Sequence, residues 1–389
     1  MPEIAKPEEY RALMKLINTV FCPVDVSGRF YFRILLPKLY QAKYKPWERN
    51  YVVREGAALK AAVGMYIAEA DCAGLPLRVG GIGNVAVARD SRRKGYMKQA
   101  MNDAMAAMAE AGCDIAQLGG QRQRYEYWGF DRAGTQVRAA FTYSSLRHGL
   151  GQTEAGGYTI AAPTAADLPQ LQALIERAPL HIRHNPAAFG DILRSWAARP
   201  LVVKYKGEIV AYYAEKPARV IGIHDLQFFD WDKAPGALLA IYHNMSKAVR
   251  IKGLEVSIPL WETEFLALAE RAAEWQRLEI AENFTVLNWE RALRALLRLQ
   301  CACGVQPDGE LTVKINGYHG EETLRLRIEG NQAAVEPYQG EARLELDHLA
   351  AVRFFLAPVS NERSACLPFN PCVLAWFPLP LFLYKMEAV

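Results

Sequence analysis

Three successive cations and a glycine, Arg92-Arg93-Lys94-Gly95, stand where an apolar strand pattern gives way to a helical one. Val85 and Val87 alternate with Ala86 as strand residues do, and Met97, Met101, Met105 and Met108 recur at the spacing of one helix face. The first amides of a helix have no partner within it, and the helix dipole favours negative charge there. Cations around such a turn, with a glycine that lets a bulky group approach the backbone, suit a phosphate or pyrophosphate. The spacing Arg92-x-x-Gly95 is neither a Walker loop nor the glycine pattern of dinucleotide folds. The same residues also suit a basic helix start on a solvated turn, and the methionine stripe reads simply as a core-facing face.

Other groups with chemical potential are less specific. Tyr125-Glu126-Tyr127-Trp128-Gly129-Phe130 is an aromatic cluster that by itself belongs in a core. Phe30, Tyr31, Phe32, Tyr40, Tyr44 and Trp47 form an aromatic run that suits an acceptor pocket or a core. Asp25 nearby suits either the steering of a cationic acceptor or a solvated loop. None of the seven histidines falls in a nucleophile or metal pattern; His181 and His184 have no nearby acid and read as structural or surface.

The elements that must position these residues follow from periodicity. Helices are expected at Pro7 to Val20, Phe30 to Tyr40 and from the methionine stripe to Ala111-Gly112, and strands at Tyr51 to Val53, Ala57 to Glu69, Val79 to Val87, Ile115 to Leu118 and Thr135 to Tyr143. Glycines 149, 151, 156 and 157 mark a linker. Beyond it, Thr164 reads as a helix cap, Lys206-Gly207 as a hairpin turn, Leu254 to Pro259 as a strand and Glu262 to Trp275 as a helix. A third segment opens with a helix after Asn288 and continues as strands and a helix over Asp347 to Leu356. The apolar end, from Pro371 to Phe382 and on to Val389, must dock. It either completes its own small domain or threads into the first one.

The chain has 389 residues, 51% hydrophobic and 23% charged, with a net charge of +4. That balance is globular, and the charge is too small to imply nucleic-acid binding. No apolar run spans a bilayer and no signal peptide is apparent. Seven scattered cysteines, with no Cys-x-x-Cys, fit a reduced cytoplasmic protein without bound metal.

At Arg92-x-x-Gly95 and Tyr125-x-x-x-Gly129-Phe130 the sequence resembles the GNAT acetyltransferases, most closely their Eis-like (enhanced intracellular survival) branch; Met97 stands where the wider family has glycine or alanine. The resemblance implies an α/β fold with tandem GNAT-like mixed-sheet domains at 1–147 and 148–283. A C-terminal α+β sterol-carrier-like domain would follow at 284–389. The second domain's corresponding junction, Asp230-Trp231-Asp232, has acids instead of cations and is expected not to bind coenzyme A. The resemblance places acetyl-coenzyme A against Val85, Ala86, Val87, Arg92, Arg93, Lys94, Gly95, Tyr96 and Met97, with no metal. It makes Tyr125 the acid that protonates the leaving thiolate. It gives the base role to the terminal carboxylate of Val389, and acceptor contacts to Asp25, Phe30 and Tyr40. A free α-carboxylate titrates near roughly 3.5, so burial or a water relay would have to assist. The implied reaction is direct transfer, in a ternary complex, to a primary amine: an aminoglycoside, a polyamine or a lysine-like group, small or peptidic. The enzyme would be cytoplasmic, a trimer or hexamer, with no nucleic-acid or membrane partner. The alternative is a non-catalytic carrier or sensor of coenzyme A or an acyl lipid.

Overall fold

The computed structural model describes residues 3–22, 31–216, 222–248, 253–366 and 372–389. Among the described residues, sixteen strands form three sheets. In chain order they are β1 Asn50–Glu55, β2 Ala58–Cys72, β3 Leu75–Val87, β4 Ile115–Leu118, β5 Asp131–Phe141, β6 Tyr158–Ala161, β7 Leu180–Ile182 and β8 Arg199–Tyr205. The rest are β9 Glu208–Lys216, β10 Gly222–Phe228, β11 Leu254–Pro259, β12 Trp275–Val286, β13 Gly309–Gly317, β14 Gly320–Glu329, β15 Gln332–Pro337 and β16 Leu344–Asp347. The first sheet has the order β1-β2-β3-β4-β12-β5-β11, with β7 also paired to β2; the others run β10-β9-β8-β6 and β15-β14-β13-β16.

The first sheet is shared between chain segments. β12 was not expected as a strand; it runs across the 283/284 position and sits antiparallel between β4 and β5. β11 pairs with β5, and β7 extends the β1 side of β2. The mixed α/β character expected from sequence is therefore present, with the middle segment lending three strands to the sheet that carries the basic turn.

Local chemistry explains most boundaries. The expected Phe30–Tyr40 helix is instead two short turns, Phe32–Leu35 and Pro37–Tyr40, over its described part. Pro37 lacks an N–H and drives Leu36 out of the helical region (φ −131°, ψ 67°). The Tyr96–Glu110 helix is rich in alanine and methionine, both strong helix formers. Met101, Met105 and Met108 are buried against the sheet, each contributing roughly 1.5–3 kcal/mol. The helix stops where Gly112 turns at φ 71°. Thr164 does not cap the next helix. Asp167 precedes the Leu168–Ile175 helix, and the Thr164 hydroxyl donates to its carboxylate at 2.7 Å. Among the described residues no helix is long and apolar enough to cross a membrane.

Candidate functional site

The parallel ladder of β3 with β4 ends at Ile82 opposite Leu118, while β3 continues to Val87. Beyond that point β3 has β2 on one side and an opening on the other. The β2–β3 register also shifts between Ala62 and Gly64, and Asn84 opposite this bulge takes φ +38°. A side-chain chain holds the bulge. The Tyr40 hydroxyl donates to Asn84 Oδ1, Asn84 Nδ2 donates to Asn50 Oδ1 at 2.8 Å, and Asn50 Nδ2 donates to the Pro46 carbonyl at 2.8 Å. Tyr40 is wholly buried, so it braces the bulge and does not line an open pocket as expected. Asp25 and Phe30, the other acceptor candidates, lie outside the described residues.

On the helix face of β3 lies a cleft of about 620 Å³. Val85, Val87, Arg92, Arg93, Gly95, Tyr96 and Met97 line it. Gly95 takes φ 83° at the cap position, and no side chain caps the helix, which leaves its first amides without a side-chain partner where Gly95, Tyr96 and Met97 line the cleft. Arg92 and Arg93 have no ion-pair partner among the described residues. Two expected contacts are placed elsewhere. Ala86 points to the opposite face of β3, into the cluster with Tyr40 and Tyr66. Lys94 is drawn to Glu55 at 2.8 Å, which also accepts from the Tyr96 hydroxyl at 2.5 Å. Those two contacts hold the Glu55 carboxyl below its ordinary range. Arg124 and Trp128 complete the wall. Sequence reasoning passed over Arg124, though its place beside Tyr125 was a usable signal.

Tyr125 ends a short helix after β4, its ring against Gly120 and near Trp128. It is 6% exposed, and burial pushes its pKa up, with Arg124 a smaller opposing influence, so the hydroxyl keeps its proton at neutral pH.

The opposite face of β3 receives the chain's end. The Val389 carboxyl carbon lies 3.4 Å from the point a β-carbon on Gly83 would occupy, and the Val389 side chain 2.6 Å from that point on Gly81. The tail is tied down repeatedly. Asp225 accepts from the Lys385 and Met386 amides at 2.6 and 3.0 Å, the buried Lys38 ammonium donates to the Met386 carbonyl, and Trp196 Nε1 donates to the Ala388 carbonyl at 3.3 Å. His184 Nε2 meets Glu387 Oε1 at 2.9 Å. His184 is thus neither a surface residue nor without an acid; Glu387 is 203 positions away, and Glu176 Oε1 lies 3.4 Å from its Nδ1. Burial pulls the imidazole pKa down, but Glu387 and Glu176 together outweigh burial and the net shift is upward. Burial brings Lys38 down to about 8 against the upward pull of Glu387 and Asp225. A second cleft, of about 520 Å³, opens here, lined by Tyr66, Gly81, His184 and Val389 among others. Among the described residues no group of three or more metal-ligating side chains converges.

Residues 3–133 match the family described as Acetyltransferase (GNAT) domain. No curated protein matches the chain. Solved structures resemble it over its whole length. A GCN5-related N-acetyltransferase from Kribbella flavida superposes with a TM-score of 0.70 at 13% identity, covering 100% of this chain and 98% of that one. A GCN5-related N-acetyltransferase from Anabaena variabilis gives 0.67 at 14%, covering 99% and 98%. Eis1 from Mycobacterium abscessus gives 0.64 at 16%, covering 100% and 98%. At these identities the likeness establishes the fold; the domain match over the first third of the chain supports an acyltransferase.

Proposed function

We propose that this chain is an N-acetyltransferase that moves acetyl from acetyl-coenzyme A to a primary amine, with tandem GNAT-like domains and a sterol-carrier-like third domain. One observation carries the reading: an uncapped, cation-rimmed helix start and the chain's terminal carboxyl group meet the same five-residue stretch of β3 from opposite faces. The amides around Gly95, with Arg92 and Arg93, hold the pyrophosphate. A backbone N–H near Val87 faces the thioester oxygen as negative charge develops. The amine enters protonated and first releases a proton through the Val389 carboxylate to solvent. Its nitrogen then bonds the acyl carbon and passes a second proton to that carboxylate. The carbon–sulfur bond breaks, and the thiolate takes the Tyr125 proton, which is restored from the one just released. Direct transfer is favoured over an acyl-enzyme because no cysteine lies in either motif. Family analogy names aminoglycosides, polyamines and lysine-like groups as acceptors.

Free thiol release from acetyl-coenzyme A across a panel of amines tests the reading. Tyr125→Phe is expected to lower kcat by on the order of ten- to a thousand-fold with coenzyme A affinity retained. Near-normal turnover in that variant removes Tyr125 from the mechanism. Binding without thiol release for any amine favours the carrier reading.

A further inference from the structure

The cleft that receives Val389 has a mainly apolar body, formed by Leu39, Ile67, Val79, Ile182, Ile192 and Leu383. Its charged groups are mostly spent on one another. Glu69 is held by Arg78 at 2.7 Å, Arg183 by Asp71 at 2.9 Å and Glu387 by His184 at 2.9 Å, while Lys38 donates to the tail. Two charges are left over. One is the terminal carboxylate, which makes no ion pair among the described residues. The other is Arg49, an exposed guanidinium that lines the cleft and likewise has no carboxylate partner among them. Arg49 lines the same cleft as Tyr66, Gly81 and Val389. The Tyr66 ring lies 3.5 Å from the β-carbon position of Gly83, where the terminal carboxylate arrives.

A polycation entering this cleft would find one available carboxylate, and the one unpaired cation among its described lining residues, Arg49, on its wall. Its further charges would lose water without gaining partners. A molecule with one amine, one carboxylate and an apolar body leaves nothing unpaired: amine to Val389, carboxylate to the Arg49 fork, body to the apolar lining. We infer, on the basis of the acyltransferase reading above, that the acceptor is an apolar α-amino acid or short peptide, and that Arg49 recognises its carboxylate. The cleft volume is within the ordinary range for small-molecule sites, roughly 300–1,000 Å³.

The test compares phenylalanine with phenethylamine, and leucine with isoamylamine, alongside spermidine and an aminoglycoside, by thiol release at saturating acetyl-coenzyme A. The amino acids are expected to exceed their decarboxylated partners at least tenfold in kcat/KM and to exceed both polycations. Arg49→Gln is expected to raise KM for phenylalanine tenfold or more with kcat little changed, leaving phenethylamine within twofold. A polycation as best substrate overturns the inference, as does an equal effect of Arg49→Gln on phenylalanine and phenethylamine. Both results leave the acyltransferase reading intact. Loss of thiol release with every amine, while calorimetry still registers acetyl-coenzyme A, overturns that reading and this inference with it.

Discussion

Gly81 lacks a side chain where Val389 needs the space. A β-carbon at Gly81 would stand 2.6 Å from Val389 Cγ2, inside any real contact distance. Gly81→Val is therefore expected to push the chain's end off β3. If the terminal carboxylate is the base, kcat should fall at least tenfold while the calorimetric affinity for acetyl-coenzyme A stays within about threefold, because the cleft proposed for the cofactor lies on the other face of the strand. Unchanged kcat would separate the tail's position from the chemistry. Residue by residue, the sequence disclosed what local order determines. Arg92, Arg93, Gly95 and Met97 line one cleft because a strand-to-helix junction is built from neighbours in the chain. Tyr40 falls on the core side of the two readings left open for its run, because an aromatic run does not say which ring points to water. His184 was undervalued because one acid that meets it belongs to the last turn of the chain and the other, Glu176, reaches it only through the turn that follows its own helix.

Strands and helices show the same divide. β13, β14 and β15 were recognisable from alternation and turn residues, and each pairs with a near neighbour in sequence. β12 was not: its first half is Trp-Gln-Arg-Leu-Glu-Ile, largely solvent-facing, and its pairing partners lie well over a hundred residues earlier. Long-range pairing conferred the strand, not an intrinsic preference. The tail is a similar case, held by partners from every segment, one of which leaves a pH signature. Glu262 accepts from the Tyr384 hydroxyl at 3.4 Å, and burial raises its pKa from 4.5 to about 7 despite that bond. Between those values the folded chain binds more protons than the unfolded chain, so this group's contribution falls as pH rises from 4.5 to 7. Glu262→Gln carries no charge at any pH. Its stability relative to the parent should therefore climb across the same window, with an advantage at pH 8 larger than at pH 5 by on the order of 1–3 kcal/mol. Urea denaturation at the two values measures it, and a difference that does not vary with pH would show the carboxyl to be well hydrated.

Considered together, the segments form one machine around the last strand of chain. The Thr135 amide of β5 donates to Leu381 at 2.9 Å, Leu379 donates to Phe355 of the third segment at 2.8 Å, and Asp225 of the middle segment grips Lys385 and Met386. Arg353 reaches across to the buried Asp131 at 2.6 Å, fastening the third segment to the sheet that bears the basic turn. Such an arrangement fixes Val389 by contacts that survive the loss of Val389 itself. Removing Ala388 and Val389 forfeits the Trp196 contact and the packing on Gly81, but retains the Asp225, Lys38 and Glu387 anchors. The shortened chain should fold, with a thermal midpoint lowered by only a few degrees, since lost burial of one valine costs roughly 1.5–3 kcal/mol. Acetyl-coenzyme A should still bind, while turnover drops by about a hundredfold or more, the loss expected when a positioned base is taken away. A chain extended by a short peptide after Val389, in which an amide replaces the carboxylate, should show the same split. Equal turnover by the native, shortened and extended chains would reduce the tail to a structural strap and return the search for the base to the remaining walls of the cleft, beginning with His184.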